Sequence, residues 1–292
     1  MNILIFGANS LLGRNLVDCL SKKHKVYASI RNQKEVKFSK NENITTIESD
    51  LSNFETSCLP ENIDAVYYLA QSNRFREFPN GAQDMTEVNI LTPIKVATWA
   101  SEHKVKTFIY ASTGGVYTRT KDLVYESDTI DSSEINGFYP SSKFCAEVLL
   151  KNYETFFETF IIARPFFIYG FGQTETMLIP RLIDNIQKNN PITLNGHEGI
   201  RINPIYVSDA VKAFESMLKV KGSYVFNIAG DEILSLKDIC LIIGNIISKE
   251  PLFTHNQQNS NYLIGNTELM KKYLYEPQIN FKVGISKMVS VK

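Results

Sequence analysis

Tyr139 and Lys143 stand four residues apart in Gly137-Phe138-Tyr139-Pro140-Ser141-Ser142-Lys143, a spacing of types that suits proton transfer. If a helix starts near Tyr139, that step puts phenol and ammonium on one face, a turn apart. A tyrosine titrates unaided near ~10, so a neighbouring lysine charge is what would bring it toward neutral pH as an acid or base. Upstream, Ser112-Thr113-Gly114-Gly115-Val116-Tyr117 supplies hydroxyls. The same spacing also suits a surface helix carrying a solvated lysine, so the elements that position the pair decide between the two.

Those elements begin with the apolar run Ile3-Leu4-Ile5-Phe6, then Gly7-Ala8-Asn9-Ser10-Leu11-Leu12-Gly13, then a helical pattern at Leu16, Val17 and Leu20. Strand, tight turn and helix follow: Gly7 permits the turn, Gly13 lets helix and strand pack closely, and the free helix N–H groups face a pyrophosphate. Asn9, Ser10, Leu11 and Leu12 lie in that turn. Ser10 stands where a glycine usually lets the backbone approach phosphate, and its hydroxyl is placed to donate to a phosphate oxygen instead. A second strand over 26–30 ends in Ile30-Arg31-Asn32. NAD sites usually carry an acid about 20 residues past the glycines. An arginine with no acid beside it favours NADP over NAD.

Strands over 44–47 and 64–70 and a fifth over 107–111 alternate with helical segments, which predicts an α/β fold with a doubly wound parallel sheet. Asp50 is expected either to accept from an adenine amino group or to cap the following turn. An amphipathic helix is expected over 82–103, with Val88, Leu91, Val96 and Trp99 inward, another over 139–157, and a sixth strand over 160–163. Ligands gather at the carboxyl ends of such strands, where Ser112 and Thr113 lie. Beyond Arg164-Pro165 the alternation loosens: helices over 176–188, 208–218 and 235–248, a strand over 224–228, and a polar loop over 254–261. The expected division is a dinucleotide-binding domain, 1–165 with about 204–230, and a smaller mixed substrate lobe, about 166–203 and 231–292.

Composition narrows the partners. Of 292 residues 43% are hydrophobic and 21% charged, ordinary for a globule that buries a full core. Lys plus Arg and Asp plus Glu number 31 each, which argues against a nucleic-acid surface or a polybasic membrane patch. Cys19, Cys58, Cys145 and Cys240 lie far apart without a C-x-x-C, so neither zinc nor a disulfide framework is expected, and a cytoplasmic setting fits. No apolar run approaches the ~20 residues a membrane helix needs.

With these parts in order, the chain resembles the extended short-chain dehydrogenase/reductase family of nucleotide-sugar epimerases, dehydratases and reductases. Gly7 to Gly13 is similar to its cofactor loop, Asp50-Leu51 to its adenine-side pair, and Tyr68-Leu69-Ala70 to its fourth strand end. Thr113 stands at its catalytic Ser/Thr position, and Tyr139 and Lys143, with Ala146-Glu147 beyond, match its Y-x-x-x-K helix. Arg164-Pro165 to Gly170, and Arg201 through Asp209, are similar to its substrate-lobe segments. The resemblance implies proton exchange at Tyr139, a Lys143 that lowers the tyrosine pKa and holds the nicotinamide ribose, a Thr113 that orients the reacting oxygen, and no metal. It also implies a nucleotide-sugar substrate, with Thr113, Gly114 and Arg201 contacting it, and a homodimer formed through paired helices.

Two departures narrow the chemistry. Gly114-Gly115 replaces the Asp-Glu pair of the family's 4,6-dehydratases, which disfavours dehydration and leaves 4-epimerisation or keto reduction. Phe167 replaces an asparagine that contacts the substrate diphosphate, leaving Arg201 as the candidate phosphate clamp. The Phe167 departure keeps open a reductase of a non-nucleotide carbonyl, and the Ser10 departure a cofactor-sensing protein with idle catalytic residues.

Overall fold

The computed structural model describes residues 1–117, 122–258 and 261–290. Seven strands form one sheet: β1 (Asn2–Phe6), β2 (Lys25–Ile30), β3 (Ile44–Glu48), β4 (Ala65–Tyr68), β5 (Thr107–Ala111), β6 (Thr159–Pro165) and β7 (Gly222–Ile228). Their order is β3-β2-β1-β4-β5-β6-β7, every pairing parallel. Helices α1 (Leu11–Leu20), α2 (Ala82–Thr86), α3 (Thr92–Glu102), α4 (Phe138–Leu150) and α6 (Val207–Ser216) lie about it, while α5 (Leu178–Gln187) and α7 (Leu236–Ile247) pack against each other.

Alternation along each strand builds two cores. Ile3 and Ile5 face one side, with Leu16, Val17 and Phe214 of α1 and α6; Leu4 and Phe6 face the other, with Val96, Trp99 and Ala146 of α3 and α4. The first core continues without a break into Leu194, Ile239 and Ile285 in the last third of the chain. There the short strand Ile192–Asn195 pairs with Phe253–Asn256, and Arg201–Ile202 lies between Leu234–Ser235 and Tyr262–Leu263. The expected loop over 254–261 therefore begins as strand; 259 and 260 lie outside the described residues.

The expected helix over 82–103 is interrupted. Between α2 and α3 the segment Glu87–Leu91 winds as a π turn. Pro93 explains it, because its ring displaces the carbonyl four residues back, that of Asn89. The freed carbonyls of Val88 and Asn89 accept from the buried hydroxyls of Tyr68, at 2.5 Å, and Tyr110, at 3.2 Å. Helix α4 likewise ends at Leu150, short of the expected 157, and tightens into a 3-10 segment over Lys151–Phe156.

Candidate active site

The carboxyl ends of β1, β2, β4 and β5 open into one cleft of about 1270 Å³, lined both by Gly7, Ser10 and Arg31 and by Thr113, Tyr139 and Lys143. Leu11, Leu12, Leu51, Leu69, Ala70 and Phe167 line it too. The sequence-predicted loop, strand ends and catalytic set thus meet in one space.

At the loop, Gly7 has φ +78, and a Cβ there would meet the Ala70 amide nitrogen at 2.8 Å. A Cβ on Gly13 would meet the Gly7 carbonyl at 2.1 Å, so α1 lies against the turn too closely for any side chain. Ser10 caps α1, its Oγ accepting from the Gly13 amide at 2.9 Å. That leaves the hydroxyl proton free, as the phosphate expectation for Ser10 requires. Asn9 holds the β2–β3 connection over the loop, donating to the Glu35 carbonyl and accepting from the Lys37 amide.

Further along β3, Asp50 Oδ1 accepts from the Ser52 hydroxyl at 2.8 Å and amide at 3.1 Å. These bonds hold the carboxyl below its usual range, and the Arg31 charge adds to them. Arg31 is exposed on the cleft wall, which Glu35 and Glu48 also line, and its charge reaches the Asp50 carboxyl at the end of the next strand. Asp50 itself is a turn cap outside the cleft lining, with Ser49 and Leu51 facing in.

After β5, Thr113 caps a short 3-10 turn at Gly114–Val116 and accepts from the Gly115 amide at 3.1 Å. Its own O–H is directed to the Tyr139 hydroxyl. Gly114 is buried, and a Cβ there would meet the Phe166 ring at 2.7 Å; it serves packing and does not line the cleft.

Tyr139 donates from its hydroxyl to Gln71 Oε1 at 2.7 Å. Burial pushes its pKa up to about 12, and the Thr113 hydroxyl pulls it back only partly. Lys143 is 1% exposed, donating to the carbonyls of Ala70 at 3.0 Å and Ala111 at 2.9 Å. Its pKa falls to about 7 through burial, with Glu147 opposing the fall. The expected depression of the Tyr139 pKa by Lys143 is therefore absent from this geometry. The ammonium is turned to the strand ends, and the desolvation of both groups dominates.

Arg201 does not line this cleft. It opens the short strand Arg201–Ile202, half-buried, and its Nε is buried without a hydrogen-bond partner among the described residues. Phe167 does line the cleft and has φ +45, a left-handed conformation that a bulky side chain adopts only under constraint.

Several residues escaped the sequence reading. Gln71 follows directly after Leu69-Ala70, so its place at a strand end was the available signal. Asn89, fully buried, donates to Ser142 Oγ at 3.0 Å and accepts from the Ser72 amide at 3.0 Å; Ser142 in turn donates to the Tyr139 carbonyl at 2.7 Å. Arg14 reaches from α1 to the Phe171 carbonyl at 2.9 Å, closing the cleft beside the loop. Glu147 and Arg164, both almost fully buried, pair at 2.6 Å behind Lys143, and Arg164 also donates to Tyr117.

These residues fit a dinucleotide. Glycines without room for a Cβ bring backbone to the cleft, and the first-turn amides of α1 have no intrahelical partner. Inside the cleft, Ser112 Oγ and Gln173 Oε1 are buried without partners among the described residues, leaving valences for a ligand.

The comparisons agree. The model of the NAD dependent epimerase/dehydratase family matches residues 3–229. An uncharacterized UDP-glucose epimerase of Bacillus subtilis is 25% identical over 99% of this chain and 97% of its own length. A dTDP-D-glucose 4,6-dehydratase of Dictyostelium discoideum is 31% identical over 84% of this chain, which spans 62% of that longer protein. Among solved structures, the UDP-glucuronic acid 4-epimerase of Bacillus cereus, in complex with UDP-glucuronic acid and NAD, shares the fold with a TM-score of 0.86, 23% identity and coverage of 99% and 98%. With this fold and a family match over most of its length, the chain belongs to the NAD-dependent epimerase/dehydratase family, the extended branch of the short-chain dehydrogenases/reductases.

Proposed function

We propose that the chain is a nucleotide-sugar 4-epimerase or ketoreductase in which Thr113, Tyr139 and Lys143 form the catalytic set. The observation that carries this reading is that all three line the same cleft as Gly7, Ser10, Leu11 and Leu12 of the glycine loop. The UDP-sugar epimerase neighbour of the same fold supports the substrate class.

When bound, the cofactor would accept a hydride from carbon in its oxidised form and donate one to a carbonyl carbon in its reduced form. Tyr139 exchanges a proton with the reacting sugar oxygen through its Oη. Thr113, its oxygen already engaged by the Gly115 amide, donates its O–H to that oxygen and fixes its position. Lys143 stiffens the site through Ala70 and Ala111 and holds the nicotinamide ribose. The amides of Leu11 and Leu12 and the Ser10 hydroxyl bind the pyrophosphate. Leu51 flanks the adenine, with Asp50 holding the turn behind it, and Leu69 and Ala70 form the floor. Arg201, with its unsatisfied Nε, clamps the substrate diphosphate from the lobe built by 166–203 and 231–292.

Dehydration is disfavoured, because Gly114-Gly115 offers no acid or base, and the carboxylates lining the cleft, Glu35 and Glu48, lie on the β2–β3 side. Arg31, with Lys34 and Lys37 beside it, supports NADP over NAD. The apolar wall of Phe75, Phe167 and Met177 favours a second reading, an NADPH-dependent reductase of a carbonyl compound without a nucleotide. Stoichiometric NADPH consumption without nucleotide dependence would select it.

Leu91, expected inward, is instead exposed because the π turn rotates it outward of the core, and with exposed Val148 and Leu149 on α4 it supports the homodimer, which light scattering tests. Among the described residues no helix is long and apolar enough to cross a membrane. The four free cysteines favour a reducing, cytoplasmic setting. The function is tested by identifying what co-purifies with the protein and by thermal shift with UDP-, GDP- and dTDP-sugars. Stabilisation by none of them would remove the nucleotide-sugar reading.

A further inference from the structure

Residues 70–72, the chain leaving β4, touch both members of the tyrosine–lysine pair and the helix that carries them. The Ala70 carbonyl takes a bond from Lys143, Gln71 Oε1 one from Tyr139, and the Ser72 amide gives one to Asn89. From Asn89 the path runs through Ser142 Oγ to the Tyr139 carbonyl. The circuit closes: Tyr139 is held at its hydroxyl by Gln71 and at its backbone by Ser142, and both holds meet at the fully buried Asn89. Asn89 lies in the π turn that Pro93 imposes.

We infer that Gln71 is a positioning residue for Tyr139, its amide carbonyl accepting from the neutral phenol and so aiming the hydroxyl while opposing its ionisation until a substrate oxygen competes for the same proton. The inference rests on the proposed role of Tyr139 as proton carrier. An acceptor bond stabilises the protonated form of its donor and raises the pKa, in the direction that burial also pushes this phenol. Few other groups act on it. On α4 the nearby charge is Lys143, turned to two carbonyls; from β5 come the Thr113 hydroxyl and the Tyr110 phenol, itself donating to the Asn89 carbonyl; from the chain after β4 comes Phe75, with ring centroids 5.6 Å apart. The carboxylates lining the cleft among the described residues, Glu35 and Glu48, lie on the β2–β3 side.

The test uses Gln71→Met, similar in size but without the acceptor, and Gln71→Glu, whose carboxylate accepts and also repels a phenolate. Two readouts follow Tyr139 ionisation. One is the tyrosinate ultraviolet band of each protein minus that of its Tyr139→Phe counterpart, at a fixed alkaline pH where circular dichroism shows the fold intact. The other is the midpoint of the acid limb of the pH–rate profile on a turned-over nucleotide sugar. Loss of one hydrogen bond is worth about one pKa unit, so Gln71→Met should ionise about tenfold more Tyr139 at fixed pH and move the midpoint down by about one unit. Gln71→Glu should move both the other way. Unchanged ionisation in both variants would overturn the inference, whatever happens to the rate. If instead Tyr139→Phe keeps full activity while the titrations shift as expected, the contact stands and the proton-carrier reading falls.

Discussion

Lys143 Nζ sits 3.0 Å from the Ala70 carbonyl and 2.9 Å from that of Ala111, so a buried ammonium ties the carboxyl ends of β4 and β5 together beneath Tyr139. It also lies 4.9 Å from the centre of the Tyr110 ring. This lysine is a structural bolt before it is an electrostatic partner, and its pKa of about 7 records the desolvation.

That value has a consequence for stability. Unfolded, the lysine titrates near ~10.4; folded, near 7, so between these limits the unfolded chain binds the extra proton. Stability from this group therefore rises with pH from about 7 toward 10, and below 7 the full cost of burying the charge remains. Chemical denaturation of the cofactor-free protein at pH 7 and pH 9 should show the wild type gaining on Lys143→Met at the higher pH. An equal gap at both values would mean that Lys143 is not desolvated as described.

Behind it, Arg164 donates through Nε and Nη2 to Glu147 and through Nη1 to Tyr117. Removing one partner strands a buried charge, so Glu147→Ala should lower the unfolding free energy by about 3–5 kcal/mol. A loss below 1 kcal/mol in denaturant titration would show that water reaches the guanidinium.

Gly13→Ala places a methyl where the Gly7 carbonyl already lies. The turn has to open, and NAD and NADP should both lose measurable binding by calorimetry. Retained affinity would show that the loop does not hold the pyrophosphate.

Arg31→Ala should weaken NADP more than NAD, by about tenfold in the ratio of dissociation constants, as expected for one lost charge-assisted bond to a phosphate. If the ratio is unchanged, Arg31 is a solvated charge whose neighbour is Asp50.

Much of this was legible in the sequence because short apolar runs with alternating faces and glycines at a strand end leave few arrangements. All seven strands lie where, or within three residues of where, the runs predict them. The π turn was missed although Pro93 marked it, since the amphipathic period of residues 82–103 runs through the interruption. The direction of the Tyr139 shift was missed for another reason. Spacing along a helix fixes which side chains share a face, but burial and the carbonyls of Ala70 and Ala111, which decide the charges, come from distant parts of the chain. Arg201 shows the same limit: its place on a strand in the last third is fixed by pairing with residues 234–235 and 262–263.

The central claim is that Tyr139 carries the proton in hydride chemistry on a nucleotide sugar. Its most direct test is conversion of UDP-, GDP- and dTDP-hexoses, followed by NMR, with the wild type and Tyr139→Phe side by side and cofactor consumption monitored. The account predicts that one sugar nucleotide is converted at C4, and that Tyr139→Phe, folded and still binding cofactor, is slower by about 10²–10⁴-fold. Full turnover by Tyr139→Phe would contradict it.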